Sequence, residues 1–107
     1  MKNTHQIFLI SDSTGETLDR IFMALKAQFN NFEYELNQFS FTRTETQIST
    51  ILKNAKKQHS PIILYTVVNS KLAKILAEES NKVGIPCFGV LGDLILNFSK
   101  ILNQKAT

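Results

Sequence analysis

The stretch from Ile7 to Leu18, Ile-Phe-Leu-Ile-Ser-Asp-Ser-Thr-Gly-Glu-Thr-Leu, constrains the fold more than any other. Its first four residues form an unbroken apolar run, which suits a strand covered on both faces, as in a parallel sheet. A short polar turn follows, and then the period changes. Leu18, Ile21, Phe22, Leu25 and Phe29 recur at the spacing of one buried helix face. Ser13 and Glu16 stand at capping-box spacing, in which each side chain satisfies a free N–H of the other's backbone. A first strand that points its carboxyl end at a helix N-terminus makes an anion site, because free N–H groups and the helix dipole converge there. Ser11, Asp12, Ser13, Thr14 and Gly15 are therefore candidate anion- or nucleotide-binding residues.

The same switch of period occurs three more times. Glu33 to Phe41 reads as a second strand of mixed polarity, an edge strand, with a phase slip between Leu36 and Phe39 that predicts a bulge or a late start. Thr44 and Gln47 repeat the capping-box spacing before a helix face of Ile48, Ile51, Leu52 and Ala55. His59-Ser60-Pro61 ends that helix. Ile62 to Val68 is continuously apolar and β-branched and belongs at the sheet centre. Asn69 or Ser70 caps a third helix with Leu72, Ile75, Leu76 and Val83 inward, and Gly84 provides its left-handed exit. Pro86 opens a short fourth strand, Cys87 to Leu91. A last helix carries Leu94, Ile95, Phe98, Ile101 and Leu102 on its apolar side, and residues 103–107 are expected to fray.

Four strand-then-helix units predict one α/β domain over residues 1–107. Its sheet has four parallel strands ending near Ile10, Phe41, Val68 and Leu91, in the order 2-1-3-4, with helices on both faces. The topological switch then lies between the first and third strands, where such folds bind ligands. Ser11 to Gly15 and Thr66 to Asn69 arrive there, with Arg43, Thr44, Gly92 and Asp93 from the flanking units. An Arg beside a helix N-terminus suits phosphate, because its fork matches two oxygens.

Composition narrows the function classes. At 107 residues the chain has room for one core, with stability of roughly 5–10 kcal/mol. No apolar run approaches the ~20 residues that span a bilayer, and Met1 to Gln6 shows no signal segment. One cysteine, Cys87, excludes an internal disulfide and fits a reducing cytoplasm. The net charge of +3 sits on predicted helix faces without interleaved aromatics, which argues against a nucleic-acid surface. No Cys/His cluster has metal-ligand spacing, and Gly15, Gly84, Gly89 and Gly92 cannot make a G-x-x-x-x-G-K-[ST] or G-x-G-x-x-G loop.

Each candidate also has a structural reading. Ser13, Thr14 and Glu16 serve as cap, turn and box. Asp12 is a base, metal ligand or hydroxyl acceptor, or else a turn Asp bonding local N–H groups; it is the weak catalytic candidate. Arg43 binds a ligand or pairs with an acid. Cys87 reads as a small core residue, and His5 and His59 as solvent-exposed.

Ile10-Ser11-Asp12-Ser13-Thr14-Gly15-Glu16-Thr17, then Ala27-Gln28-Phe29, Phe41-Thr42-Arg43-Thr44, Leu64 to Val68, Ile85-Pro86-Cys87 and Leu91-Gly92 together resemble the pyruvate, phosphate dikinase regulatory proteins. That family includes regulators of phosphoenolpyruvate synthase. The resemblance implies an ADP-dependent serine/threonine protein kinase that also removes the phosphate by phosphorolysis, releasing pyrophosphate. ADP and phosphate would be substrates, with no bound cofactor or metal. Pyruvate, phosphate dikinase or phosphoenolpyruvate synthase would be the partner, with homo-oligomers possible and no role for nucleic acid or membrane. It also implies that the family's phosphate-binding loop lies in a C-terminal domain not contained in these residues, so this chain is expected to be inactive alone. Asp93 stands where the resemblance leads one to expect proline, so the last helix is expected to start differently here. The rival expectation is a non-catalytic α/β interaction or anion-binding module, which an unburied Leu94 and Leu102 would favour.

Overall fold

The computed structural model describes residues 4–105, so the expectations for Met1, Lys2, Asn3, Ala106 and Thr107 lie outside it. In chain order the elements are β1 (His5–Ser11), α1 (Glu16–Lys26), β2 (Tyr34–Phe39), α2 (Glu45–Lys56), β3 (Pro61–Thr66), α3 (Ser70–Lys82), β4 (Cys87–Gly89) and α4 (Gly92–Leu102). The strands form one parallel sheet in the order β2-β1-β3-β4, as the alternating units predict. β1 lies between two neighbours, with Ile7 opposite Leu36 and Ile62, and Ile10 opposite Phe39 and Tyr65.

Because strand side chains alternate, β1 supplies both cores. Phe8 and Ile10 point to the face covered by α2 and α3, where they meet Ile48, Ile51, Leu52, Ala55, Leu72 and Leu76. Ile7 and Leu9 point to the other face, where Leu18 and Phe22 of α1 cover them together with Leu64. Tyr34 and Phe32 pack edge-on against the Phe22 ring, with centroids 5.0 and 6.1 Å away. Each such side chain contributes roughly 1.5–3 kcal/mol on burial.

Several local expectations are corrected. β2 pairs one-for-one with β1 from Tyr34 to Phe39 and has no bulge. The phase slip arises because Tyr34 serves the α1 core while Phe39 stacks on Phe8 in the other. Three strands stop two residues early, each for a local reason. Phe41 and Leu91 have φ of 54° and 74°, which turns the chain out of the sheet. At the end of β3 the Val68 N–H is taken by the Asp12 carboxylate at 2.9 Å. Leu25, Phe29 and Val83 lie at the surface rather than inward. His59 is exposed as expected, but His5 is half-buried, its Nδ1 3.3 Å from the Ser60 carbonyl and its ring against Phe32.

The last helix, α4, buries none of its residues, the outcome that favours the interaction-module expectation. Of its predicted apolar side only Ile95 is half-buried, while Leu94, Phe98, Ile101 and Leu102 face solvent.

Candidate functional site

The two capping boxes read from sequence have different outcomes. At α2, Thr44 Oγ1 accepts the Gln47 N–H at 3.1 Å and Gln47 Oε1 accepts the Thr44 N–H at 3.0 Å. At α1 no box forms. Gly15, with φ of 89°, takes the cap position, and no side chain caps the helix. Ser13 instead turns back, its N–H donating to Ser11 Oγ at 3.1 Å. Thr44→Ala is therefore expected to cost about 1 kcal/mol in urea unfolding. Ser13→Ala, which removes no cap, is expected to change stability by less than about 0.5 kcal/mol.

An uncapped N-terminus leaves first-turn N–H groups of α1 available to an anion. A hollow of about 40 Å³ lies beside it, lined by Ser11, Thr14, Gly15, Asp19, Gln38 and Ser40. The segment after β2 holds the turn in shape. Thr42 N–H donates to the Ser11 carbonyl at 2.8 Å, Phe41 N–H to Ser13 at 2.9 Å, and Ser40 Oγ to Thr14 at 2.9 Å. Ser40 escaped sequence reasoning, since a lone Ser between two phenylalanines carries no pattern, and the buried Thr42 was marked only as part of the Phe41 to Thr44 motif.

Arg43 does reach the turn. Its Nε donates to the Asp12 carbonyl at 2.9 Å, and its guanidinium lies over the Phe41 ring, 5.2 Å from the centroid. Among the described residues no acid pairs with it. Asp12 joins the strand ends across the switch, its N–H donating to Thr66 O at 3.3 Å and its Oδ2 accepting from Val68. This is the turn-Asp reading, extended across the sheet.

Acids oppose the anion reading. Glu16 and Asp19 lie in the first turn of α1. Each gains about 0.3–1 kcal/mol from the dipole and repels an incoming anion. With Arg43 as the neighbouring cation, affinity for a single phosphate is expected near millimolar, about 4 kcal/mol.

Gly92 and Asp93 do not join this group. They line a separate cavity of about 460 Å³ between the ends of β3 and β4 and α4, together with Tyr65, Val68, Ser70 and Ser99. Burial, then Cys87 and Asp93, push the Tyr65 hydroxyl above its ordinary pKa. Cys87 is half-buried against the α2–α3 core, and burial raises its thiol, which keeps it a poor nucleophile. Among the described residues no three His, Cys, Asp or Glu side chains are grouped to hold a metal, and no helix is long and apolar enough to cross a membrane.

Comparison with known proteins decides the family, because the model of the kinase/pyrophosphorylase family matches residues 7–107. The chain belongs to that family. A pyruvate, phosphate dikinase regulatory protein of Pelagibacter ubique (strain HTCC1062) is 61% identical over 107 residues, which is 100% of this chain and 39% of the relative. Family relatives with the same name in Lactiplantibacillus plantarum and Geotalea uraniireducens are 31% and 35% identical, over 94% and 91% of this chain and 36% of each relative. The chain thus spans about two fifths of the curated relatives it matches, or slightly less.

Proposed function

We propose that this chain is the sheet-and-crevice part of a bifunctional phosphotransferase. In that reading the whole enzyme is an ADP-dependent serine/threonine protein kinase and a phosphate-dependent, pyrophosphate-releasing phosphorylase. Its target is a cytoplasmic pyruvate, phosphate dikinase or phosphoenolpyruvate synthase. The observation that carries the reading is the family match over residues 7–107. The site chemistry supports a limited role: amides at the start of α1 and the guanidinium of Arg43 hold one phosphate of a nucleotide, or free phosphate, at the switch. Asp12 keeps the two strand ends in place with one carboxylate oxygen, which makes it a positioning group here. The nucleotide's other phosphates fall to a phosphate-loop domain supplied by the remainder of such an enzyme.

Titration of the chain with phosphate, pyrophosphate and ADP, followed by amide chemical shifts, tests the site. Shifts are expected at Thr14 to Leu18 and around Arg43, and Arg43→Ala is expected to weaken binding about fivefold to tenfold. Unchanged amides at the start of α1 would reduce the motif to a strand-to-helix turn. The exposed apolar side of α4 favours a second reading, a docking module without a ligand of its own. That reading expects the titration to be silent while protein–protein association remains.

A further inference from the structure

We propose that the free edge of β4, with the apolar surfaces on its two sides, is a docking site for a strand-then-helix segment of polypeptide. The family relatives, of which this chain spans 39% or less, have ample length for such a segment. Three observations meet at β4. First, its outer edge pairs with no strand among the described residues. Pro86 O accepts from Ile63 and Val90 N–H donates to Tyr65, so by alternation Cys87 and Gly89 turn their N–H and C=O groups outward. Second, α4 lines one cavity with the first turn of α3, and although a right-handed crossover from β4 would carry it over a further strand, no such strand is present among the described residues. Leu94, Leu96, Phe98, Ile101 and Leu102 remain in solvent, Ile101 at 78% exposure. Third, among the described residues α1 is the one helix that covers the opposite face. A hollow of about 520 Å³ stays open beside it, lined by Leu25, Phe29, Phe32, Ile62, Leu64 and Phe88. Neighbouring helices on a sheet face pack side by side about 8–10 Å apart, so that hollow is the place of a second helix.

One added strand and its following helix close all three. The strand extends the sheet beyond β4 and lies beneath α4, and the helix returns over Phe88 into the hollow. A second copy joined through α4 alone would leave the hollow and the β4 edge uncovered. An apolar surface spread over an edge and both faces of a sheet is far beyond the scattered surface leucines of a monomer.

This inference rests on the family's length and not on phosphoryl transfer, and its test uses no nucleotide. The chain is mixed with a polypeptide comprising the unmatched remainder of the Pelagibacter ubique relative. Association is followed by light scattering, and protection by amide hydrogen exchange. The expected result is a one-to-one complex in which the Cys87 and Gly89 amides and α4 gain protection. Phe88→Asp and Ile101→Glu, both at solvent-exposed positions, are each expected to weaken it about tenfold or more. Leu36→Asp, on the opposite sheet edge, is expected to leave it unchanged, and circular dichroism checks that each variant is folded. The proposal is overturned by absence of a complex, by a complex insensitive to both variants, or by a homodimer of the chain alone that already protects β4 and α4.

Discussion

Phe8→Ala is expected to lower the unfolding free energy by about 3–5 kcal/mol, the largest loss from any single truncation in the sheet. Phe8 is wholly buried in the central strand and stacks on Phe39 with centroids 6.0 Å apart. Its removal opens a cavity between a sheet and two helices, where backbone hydrogen bonding resists collapse. A domain of this size holds about 5–10 kcal/mol in all, so much of the margin disappears. Thermal unfolding followed by circular dichroism should show a midpoint lowered by about 12 °C or more. Phe29→Ala, at a ring 58% exposed, serves as the control and is expected to cost less than about 1 kcal/mol. A loss below about 1 kcal/mol at Phe8 would mean that the α2–α3 core is not assembled as described.

The chain alone is expected to transfer no phosphoryl group to or from a threonine of the dikinase. Such chemistry must hold the nucleotide's phosphates, neutralise charge as it develops and orient the attacking oxygen. Here the opening turn offers amides and one guanidinium, and no Gly-Lys-Ser/Thr sequence occurs anywhere in the chain. Removing even one preorganised charge-stabilising donor costs roughly 3–4 kcal/mol of barrier, and a whole set is wanting. The assay incubates purified chain with dikinase, ADP and a labelled phosphate donor, and follows threonine phosphorylation and pyrophosphate release. Activity is expected only after the unmatched remainder of a relative is added. Turnover by the chain alone that survives repurification and falls with Asp12→Ala would place the catalytic machinery at this sheet edge.

Particular residues show why some of the architecture was legible and some was not. Strand order followed from four changes of period, because a parallel sheet with right-handed crossovers leaves few alternatives. The boxes at Ser13/Glu16 and Thr44/Gln47 have identical spacing, and only one forms. The difference is Gly15, whose positive φ starts α1 later than Ser13 requires. Periodicity marked the apolar side of α4 correctly, but periodicity reports amphipathicity and is silent on what covers it. The convergence of Ser11 to Gly15 with Arg43 was legible as topology. The clamp by residues 40–42 and the Asp12–Val68 bond were not, because they depend on where two strands stop.

β1 is one of the two inner strands of the sheet, and it is synthesised before both of its neighbours. At roughly 5–20 residues per second, β3 begins to emerge from a ribosome about 2–10 seconds after β1 is complete. Through that interval Ile7 to Ile10 has no partner on the β3 side, and the core around Phe8 waits longer still for Leu72, Leu76 and Ile85. A nascent chain in which the apolar run Ile7 to Ile10 is made long before that strand's second neighbour is a natural client for chaperones that bind short extended apolar segments. Synonymous codon changes that slow synthesis between Gln38 and Pro61 would lengthen that dependence without altering a single contact of the finished fold.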